Sequence, residues 1–170
     1  MNTIYSFGPI ADEQSRILVL GSIPGKESLR KQQYYGHTQN AFWRLMSTLL
    51  DEPFHEDYED RIGMLLRHHI ALWDVIKSCE RESSLDAHIK NAVVNDFASL
   101  FAAHPKITHI FFNGQKAYDT FARHVGFEFH GLSFERLGST SPAHAISFEK
   151  RLKDWQRILP YIRRTDDDQL

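Results

Sequence analysis

An α/β fold, with a parallel sheet sandwiched between helices, follows from three features of the sequence. Short apolar runs without polar interruption, Ile17-Leu18-Val19-Leu20 and the stretch 107–112, have the length and continuity of strands buried on both faces. Segments with apolar residues at helical spacing alternate with these runs, and a parallel strand pair needs such a crossover helix between its members. The runs end in Gly21, Asp74, Asn113 and Gly138, residue types that build turns and shaped, hydrogen-bonding loops.

In chain order, the strand over 17–20 is stopped by Gly21 and leads into the loop Gly21-Ser22-Ile23-Pro24-Gly25. After a polar stretch, Phe42, Leu45, Met46 and Leu49 share one helical face, and Asn40 is placed to cap that helix. Ile70-Ala71-Leu72-Trp73, continuing into Val75-Ile76, predicts the second strand. Val93, Phe97, Leu100 and Phe101 predict the next helix. Residues 107–112 form the third strand, and Ala117, Tyr118, Phe121 and Ala122 mark the helix after it. A weaker strand is expected around 133–137, and Phe148, Leu152, Trp155 and Leu159 mark a C-terminal helix. No repeat or low-complexity linker divides the chain, so residues 1–162 are expected to form one domain, with a disordered polar tail at 163–170.

Bulk properties narrow the function classes. The 170 residues include one cysteine, Cys79, which excludes an internal disulfide and an iron–sulfur cluster built on about four thiolates. No stretch approaches the roughly 18 apolar residues of a membrane span, and the start lacks a basic segment followed by an apolar one. A soluble cytoplasmic monomer is the expectation. The net charge of −2 does not announce a nucleic-acid binder, but Lys26, Arg30, Lys31 and Arg44 cluster while the acids concentrate at 51–60 and 166–168. Such a run serves equally as a local phosphate-binding face or as an ordinary solvated surface.

In parallel sheets ligands bind beyond the carboxyl ends of the strands, so one cleft can draw on every loop there. Several chemistries fail for want of residues. Gly21 and Gly25 are one residue too close for a P-loop, and Glu27 stands where Ser or Thr would hold magnesium. The dinucleotide fingerprint, the G-x-S-x-G elbow and metal-ligand spacings among the ten histidines are absent, so no metal or other cofactor is expected. What remains is Tyr34-Tyr35-Gly36-His37-Thr38-Gln39-Asn40-Ala41-Phe42-Trp43, dense in aromatic and amide groups. That chemistry suits a planar, uncharged ligand, because aromatic faces stack on a base while amides donate and accept along its edge. Alternatively Tyr34 and Tyr35 only pack the loop down.

Four motifs then stand in register: Gly21-Ser22-Ile23-Pro24-Gly25; Tyr35-Gly36-His37 with Asn40, Phe42 and Trp43; Phe112-Asn113-Gly114; and Ser139-Thr140-Ser141-Pro142-Ala143. Together they resemble the uracil-DNA glycosylase superfamily, and within it the hypoxanthine-DNA (DNA-deoxyinosine) glycosylase family, over nearly the whole chain. The resemblance implies a three-layer αβα sandwich around a four-stranded parallel sheet. It also implies a DNA glycosylase of base excision repair that cleaves the N-glycosidic bond of deaminated bases in double- or single-stranded DNA and leaves an abasic site. On the same resemblance, Tyr35 stacks on the flipped base, Asn113 reads its edge, Ser22, Ile23 and Pro24 belong to the base pocket, and Asn40 is the leading catalytic residue. Ser139, Thr140, Ser141, Pro142, Ala143 and His144 enter the minor groove, and Lys26, Arg30 and Arg44 are candidate phosphate contacts.

Three positions depart from the pattern. Ile23 stands where several relatives place a catalytic Asn or Asp, so the burden shifts to Asn40. Thr38 replaces a proline, and His144 stands where an Asn often follows Pro-Ala. Glycosidic cleavage develops positive charge on the sugar and negative charge on the leaving base, and fixed donors such as Asn40 and Asn113 suit the second. Asp74 is a second candidate catalytic residue, orienting water or stabilising the sugar cation, or else a structural acid. Two other classes remain open: a non-catalytic nucleic-acid or nucleotide binding module, and a different small-molecule enzyme on the same sheet.

Overall fold

The computed structural model describes residues 3–162, so the expected tail at 163–170 lies outside the described residues. Among the described residues, seven strands and six helices run in the order β1 (Thr3–Tyr5), β2 (Ile17–Gly21), α1 (Lys26–Lys31), α2 (Phe42–Leu49), α3 (Tyr58–Arg67), β3 (Ile70–Asp74), β4 (Ile76–Glu80), β5 (Lys90–Val94), α4 (Phe97–Ala103), β6 (His109–Asn113), α5 (Gln115–His124), β7 (Ser133–Leu137) and α6 (Phe148–Trp155). Short 3-10 turns lie at Asp86–His88 and Gln156–Ile158.

Strands β3-β2-β6-β7 form the expected four-stranded sheet, and every neighbouring pair in it is parallel. Because successive strand residues point to opposite faces, the continuous apolar runs supply two cores at once. Ile17, Val19, Ile70, Leu72 and Phe111 join Phe42, Leu45 and Met46 of α2, Met64 and Leu65 of α3 and Trp155 of α6. Leu18, Leu20, Ala71, Trp73, Ile110 and Phe112 face the other way, onto Phe97 and Leu100 of α4 and Ala117 and Phe121 of α5. Helices therefore cover both faces, and the αβα sandwich predicted from the sequence is present.

The chain runs from β2 outward to β3, then returns across β2 to β6 and β7. The connection after β2 packs on one face and α5 after β6 on the other, which opens a crevice at the carboxyl ends of these two strands.

Several expected elements differ. The apolar run through Ile76 is two strands: β3 ends at Asp74, and β4 starts a second sheet with the antiparallel order β1-β4-β5. Val93 belongs to β5 and is 54% exposed, so it is not on the helix face of Phe97 and Leu100. Helical spacing alone could not separate it, because Asn95 and the helix-capping Asp96 break the pattern only through hydrogen bonds. The inner face of the small sheet buries Ile76 and Cys79 against Ile23 of the first loop. Cys79 is a buried free thiol. The N-cap of α2 is Ala41, one residue after the expected Asn40.

Candidate active site

The carboxyl ends of the parallel strands open into a cleft of about 710 Å³, large enough for a flipped nucleoside. Its floor is a row of three residues. Gly21 ends β2, with Asp74 as its β3 partner on one side and Asn113, at the end of β6, on the other. All four expected loops line the cleft.

Tyr35 covers this floor. Its backbone is in the left-handed region, φ 53°, where a non-glycine residue is uncommon, and its neighbours hold it there. Gly36 donates from its N–H to Ser28 Oγ at 2.9 Å, and a β-carbon on Gly36 would come within 3.2 Å of the Ser28 backbone. Phe42 stacks on the Tyr35 ring at 4.2 Å between centroids, covering one face and leaving the other to the cleft. Tyr34 is the packing residue of the pair: it is buried, donates its hydroxyl to the Gly8 carbonyl at 2.6 Å and accepts the Trp43 indole N–H on its own carbonyl at 2.8 Å.

Two polar atoms on the floor are buried without a hydrogen-bond partner, the Tyr35 hydroxyl and Asp74 Oδ2. Asp74 is 3% exposed, and burial, followed by the nearby charge of Asp86, raises its carboxyl to about 7. Burial and the Asp74 charge push the Tyr35 hydroxyl well above the ordinary tyrosine range. The Asn113 amide approaches that hydroxyl from the β6 side without reaching hydrogen-bond geometry. A buried polar group left unpaired costs free energy, so atoms of this kind at a cleft floor mark where a ligand would bind.

The amides are each half committed. Asn40 Oδ1 accepts from the Phe42 N–H at 3.0 Å, which braces the start of α2 and leaves the side-chain NH2 to the cleft it lines. Asn113 Nδ2 donates to Thr140 Oγ1 and Asn113 Oδ1 accepts from the Thr140 N–H, both at 2.9 Å. Each amide atom keeps one further donor or acceptor position. Thr140 also accepts the Ala41 N–H on its carbonyl at 3.0 Å, so one buried threonine joins the end of β6, the aromatic loop and the last loop.

That last loop is tied from beneath by Arg151, which the sequence reading missed. Its buried guanidinium donates to the carbonyls of Ser139, Ser141, His144 and Ile146. Pro142, Ala143 and His144 are left exposed at the rim, with Ser139 and Ser141 half-buried. The first loop is held in the same way by the β4–β5 arm. Arg81 donates to the Pro24 carbonyl at 2.6 Å, Ser84 Oγ accepts the Lys26 N–H at 2.9 Å, and Ser22 Oγ donates to Asp86 Oδ1 at 3.0 Å. Ser84, Leu85 and Asp86 thereby become cleft residues. No local pattern marks the arm or Arg151, because their partners lie far away in sequence or on backbone carbonyls. Ser22 and Pro24 line the cleft as expected, whereas Ile23 is nearly buried in the cluster with Ile76 and Cys79 and only borders it.

The expected phosphate contacts are dispersed. Lys26 is exposed at the cleft mouth, Arg30 pairs with Glu27 at 2.6 Å, and Arg44 lies over the Phe148 ring at 4.3 Å. Arg44 stands close enough to Arg151 to lower its pKa further, after burial. Lys116 and Arg136 add positive charge to the cleft lining. Among the described residues no group of histidines, cysteines and carboxylates could hold a metal ion, and no helix is long and apolar enough to cross a membrane.

Comparison with known proteins agrees with this fold. The family model "Uracil DNA glycosylase superfamily" matches residues 7–163. A protein of Methanosarcina barkeri named hypoxanthine DNA glycosylase is 39% identical over 152 residues, covering 88% of this chain and 93% of that protein. One of the same name from Methanosarcina acetivorans is 39% identical over 155 residues, covering 89% and 95%. The solution NMR structure of a candidate uracil DNA glycosylase from Methanosarcina acetivorans superposes with a TM-score of 0.80 at 36% identity, over 95% of this chain and 99% of that one.

Proposed function

The chain belongs to the uracil DNA glycosylase superfamily, and from that membership we propose that it excises hypoxanthine, with uracil as a second substrate, by monofunctional hydrolysis of the N-glycosidic bond. A DNA glycosylase is what the family and its relatives support; the choice of hypoxanthine is our reading. The observation that carries it is the cleft floor, where a half-covered aromatic ring lies beside two buried polar atoms without partners. Such a floor suits a planar base with a polar edge, taken out of the helix because its reacting atoms are out of reach in a duplex.

The flipped base stacks on the open face of Tyr35, and Asn113 uses its remaining donor and acceptor on the base edge. Ser22 and Pro24 close the first-loop side, with the Ile23 side chain behind them. Asn40 aims its NH2 at the charge that grows on the departing base, where one prepositioned donor contributes roughly 3 kcal/mol. Water attacks C1′ of the deoxyribose from the opposite face. As the C1′–N bond breaks, its electron pair leaves with the base, and the water proton is released to solvent or to the base. Ser139, Thr140, Ser141, Pro142, Ala143 and His144 form the loop beside the vacated position, with Lys26, Arg30 and Arg44 toward phosphates. We read the enzyme as a cytoplasmic monomer working without a metal or other cofactor.

Incubation of a labelled inosine-containing duplex with the protein, followed by alkali, tests this reading. A cut at the lesion only after alkali is the expected result. An uncut strand under conditions where the protein binds the duplex would leave a binding module instead.

A further inference from the structure

We propose that Leu85, at the tip of the β4–β5 arm, packs against the nucleotide next to the flipped one in the same DNA strand. It thereby adds to the preference for damaged DNA without touching a phosphate. The assignment rests on the chain taking a base out of the duplex. A cleft of about 710 Å³ takes one nucleoside, so the neighbouring nucleotides stay at its mouth. Each has lost a stacking partner there and exposes apolar surface that a protein side chain can cover.

Leu85 has the placement for that contact. Among the described residues the exposed large apolar side chains are Tyr5, Phe54, Leu85 and Val93, and of these only Leu85 lines the cleft. Tyr5 and Val93 both lie opposite Ser78 in the small sheet, and Phe54 is covered by the Arg61 guanidinium. A single exposed leucine is ordinary on a protein surface. What sets Leu85 apart is how firmly its flanks are held. Ser84 Oγ accepts the Lys26 N–H at 2.9 Å, and Asp86 Oδ1 accepts from Ser22 Oγ at 3.0 Å, so the first loop grips the residue on either side. Within the tip the Leu85 N–H donates to Ser83 Oγ at 3.1 Å, and the Leu85 carbonyl accepts the His88 N–H at 3.0 Å. The backbone of Leu85 is spent on the arm while its side chain stays 49% exposed. The tip is therefore ordered before DNA arrives, and the contact carries little ordering cost.

The rest of the mouth says which part of DNA this leucine meets. The arm follows β3 and β4, whereas the last loop follows β7 at the other edge of the parallel sheet, so the two flank the cleft from opposite sides. The last loop exposes Pro142, Ala143 and His144 but no large aliphatic side chain. Beside Leu85 stand the exposed carboxylates of Glu82 and Asp86, which repel phosphates. The tip thus suits the deoxyribose and base of a neighbouring nucleotide and not the backbone charge.

Binding separates this role from that of a phosphate contact. One duplex carries 2′-fluoroarabino-inosine, which resists cleavage, and a second is undamaged. Leu85→Ala should bind the first about fivefold more weakly, as expected from re-exposing half of a leucine side chain. Its affinity for the undamaged duplex, its slope of log affinity against log salt and its melting temperature should match the wild type. Leu85→Met should restore the preference, whereas Leu85→Lys should tighten binding to both duplexes and steepen the slope without restoring it. With 2-aminopurine placed on the 5′ or the 3′ side of the analogue, Leu85→Ala should alter the bound-state emission on one side only. A Leu85→Ala variant that keeps the full preference, or that loses affinity equally for both duplexes, would overturn the proposal. If the wild type neither prefers the analogue nor cuts an inosine duplex, the excision reading falls. If it does both and Leu85→Ala matches it, only the role of Leu85 falls.

Discussion

The Tyr35 hydroxyl and the Asp74 carboxyl converge on Gly21: a β-carbon on that glycine would lie 2.7 Å from the tyrosine oxygen and 2.6 Å from Asp74 Oδ1. Neither neighbour can yield easily, since Tyr35 is stacked on Phe42 and Asp74 sits in the sheet. Gly21→Ala should therefore displace the stacking ring and the acid together. Single-turnover cleavage of inosine-containing DNA should fall more than about tenfold, with α/β secondary structure retained by circular dichroism. Gly8→Ala is the control, because a β-carbon there meets nothing within 4 Å, and its activity should match the parent.

Asp74 should make stability depend on pH in a definite direction. Its folded-state pKa, about 7, lies above the ordinary value of 3.8, so its favourable contribution is complete below about 3.8 and is lost as pH rises through 7. Asp74→Asn removes the buried charge. The variant should melt above the wild type at pH 8, and the gain should shrink as pH falls from 7 toward 4. A melting difference independent of pH would mean that the acid is not desolvated as its surroundings imply.

Substitutions can separate the bracing by Asn40 from the catalytic role proposed for it. Its Oδ1 braces the Phe42 N–H, so Asn40→Ala should cost about 1 kcal/mol of stability, with Asn40→Ser and Asn40→Asp recovering most of it. The catalytic loss follows the NH2 instead: all three variants should cleave inosine-containing DNA about a hundredfold more slowly, or slower still. Recovery of activity along with stability in Asn40→Ser would confine the residue to bracing.

Phosphate contacts should show in the salt dependence of binding. Lys26→Ala should lower the slope of log affinity against log salt by about one unit. Arg30→Ala should change it less, because Glu27 already neutralises that guanidinium at 2.6 Å. Equal slopes for Lys26→Ala and wild type would move the DNA face away from the first loop.

The chemistry should survive excess EDTA and leave no borohydride-trapped adduct. Lys26 is exposed and Lys116 half-buried at the cleft, whereas a Schiff-base lysine is held desolvated or beside another cation to become a nucleophile. Efficient trapping, or activity abolished by chelator and restored by zinc, would require a different mechanism.

The sequence by itself determined the layers of this protein. Runs such as Ile17-Leu18-Val19-Leu20 are apolar at every position because both faces of a parallel sheet are covered, and that signal is carried by adjacent residues. It also determined which loops meet, because the carboxyl ends of parallel strands share one edge, and it singled out Tyr35, Asn40, Asp74 and Asn113. Only the tertiary structure decided how these groups are spent. Thr140 takes both amide atoms of Asn113, the Phe42 N–H takes the Asn40 oxygen, and the Tyr35 hydroxyl and Asp74 Oδ2 are left without hydrogen-bond partners beside Gly21. The β4–β5 arm and Arg151 stayed invisible for the same reason that Val93 was misassigned. Their partners are backbone carbonyls or residues distant in sequence, and hydrogen bonds of that kind leave no periodicity to read.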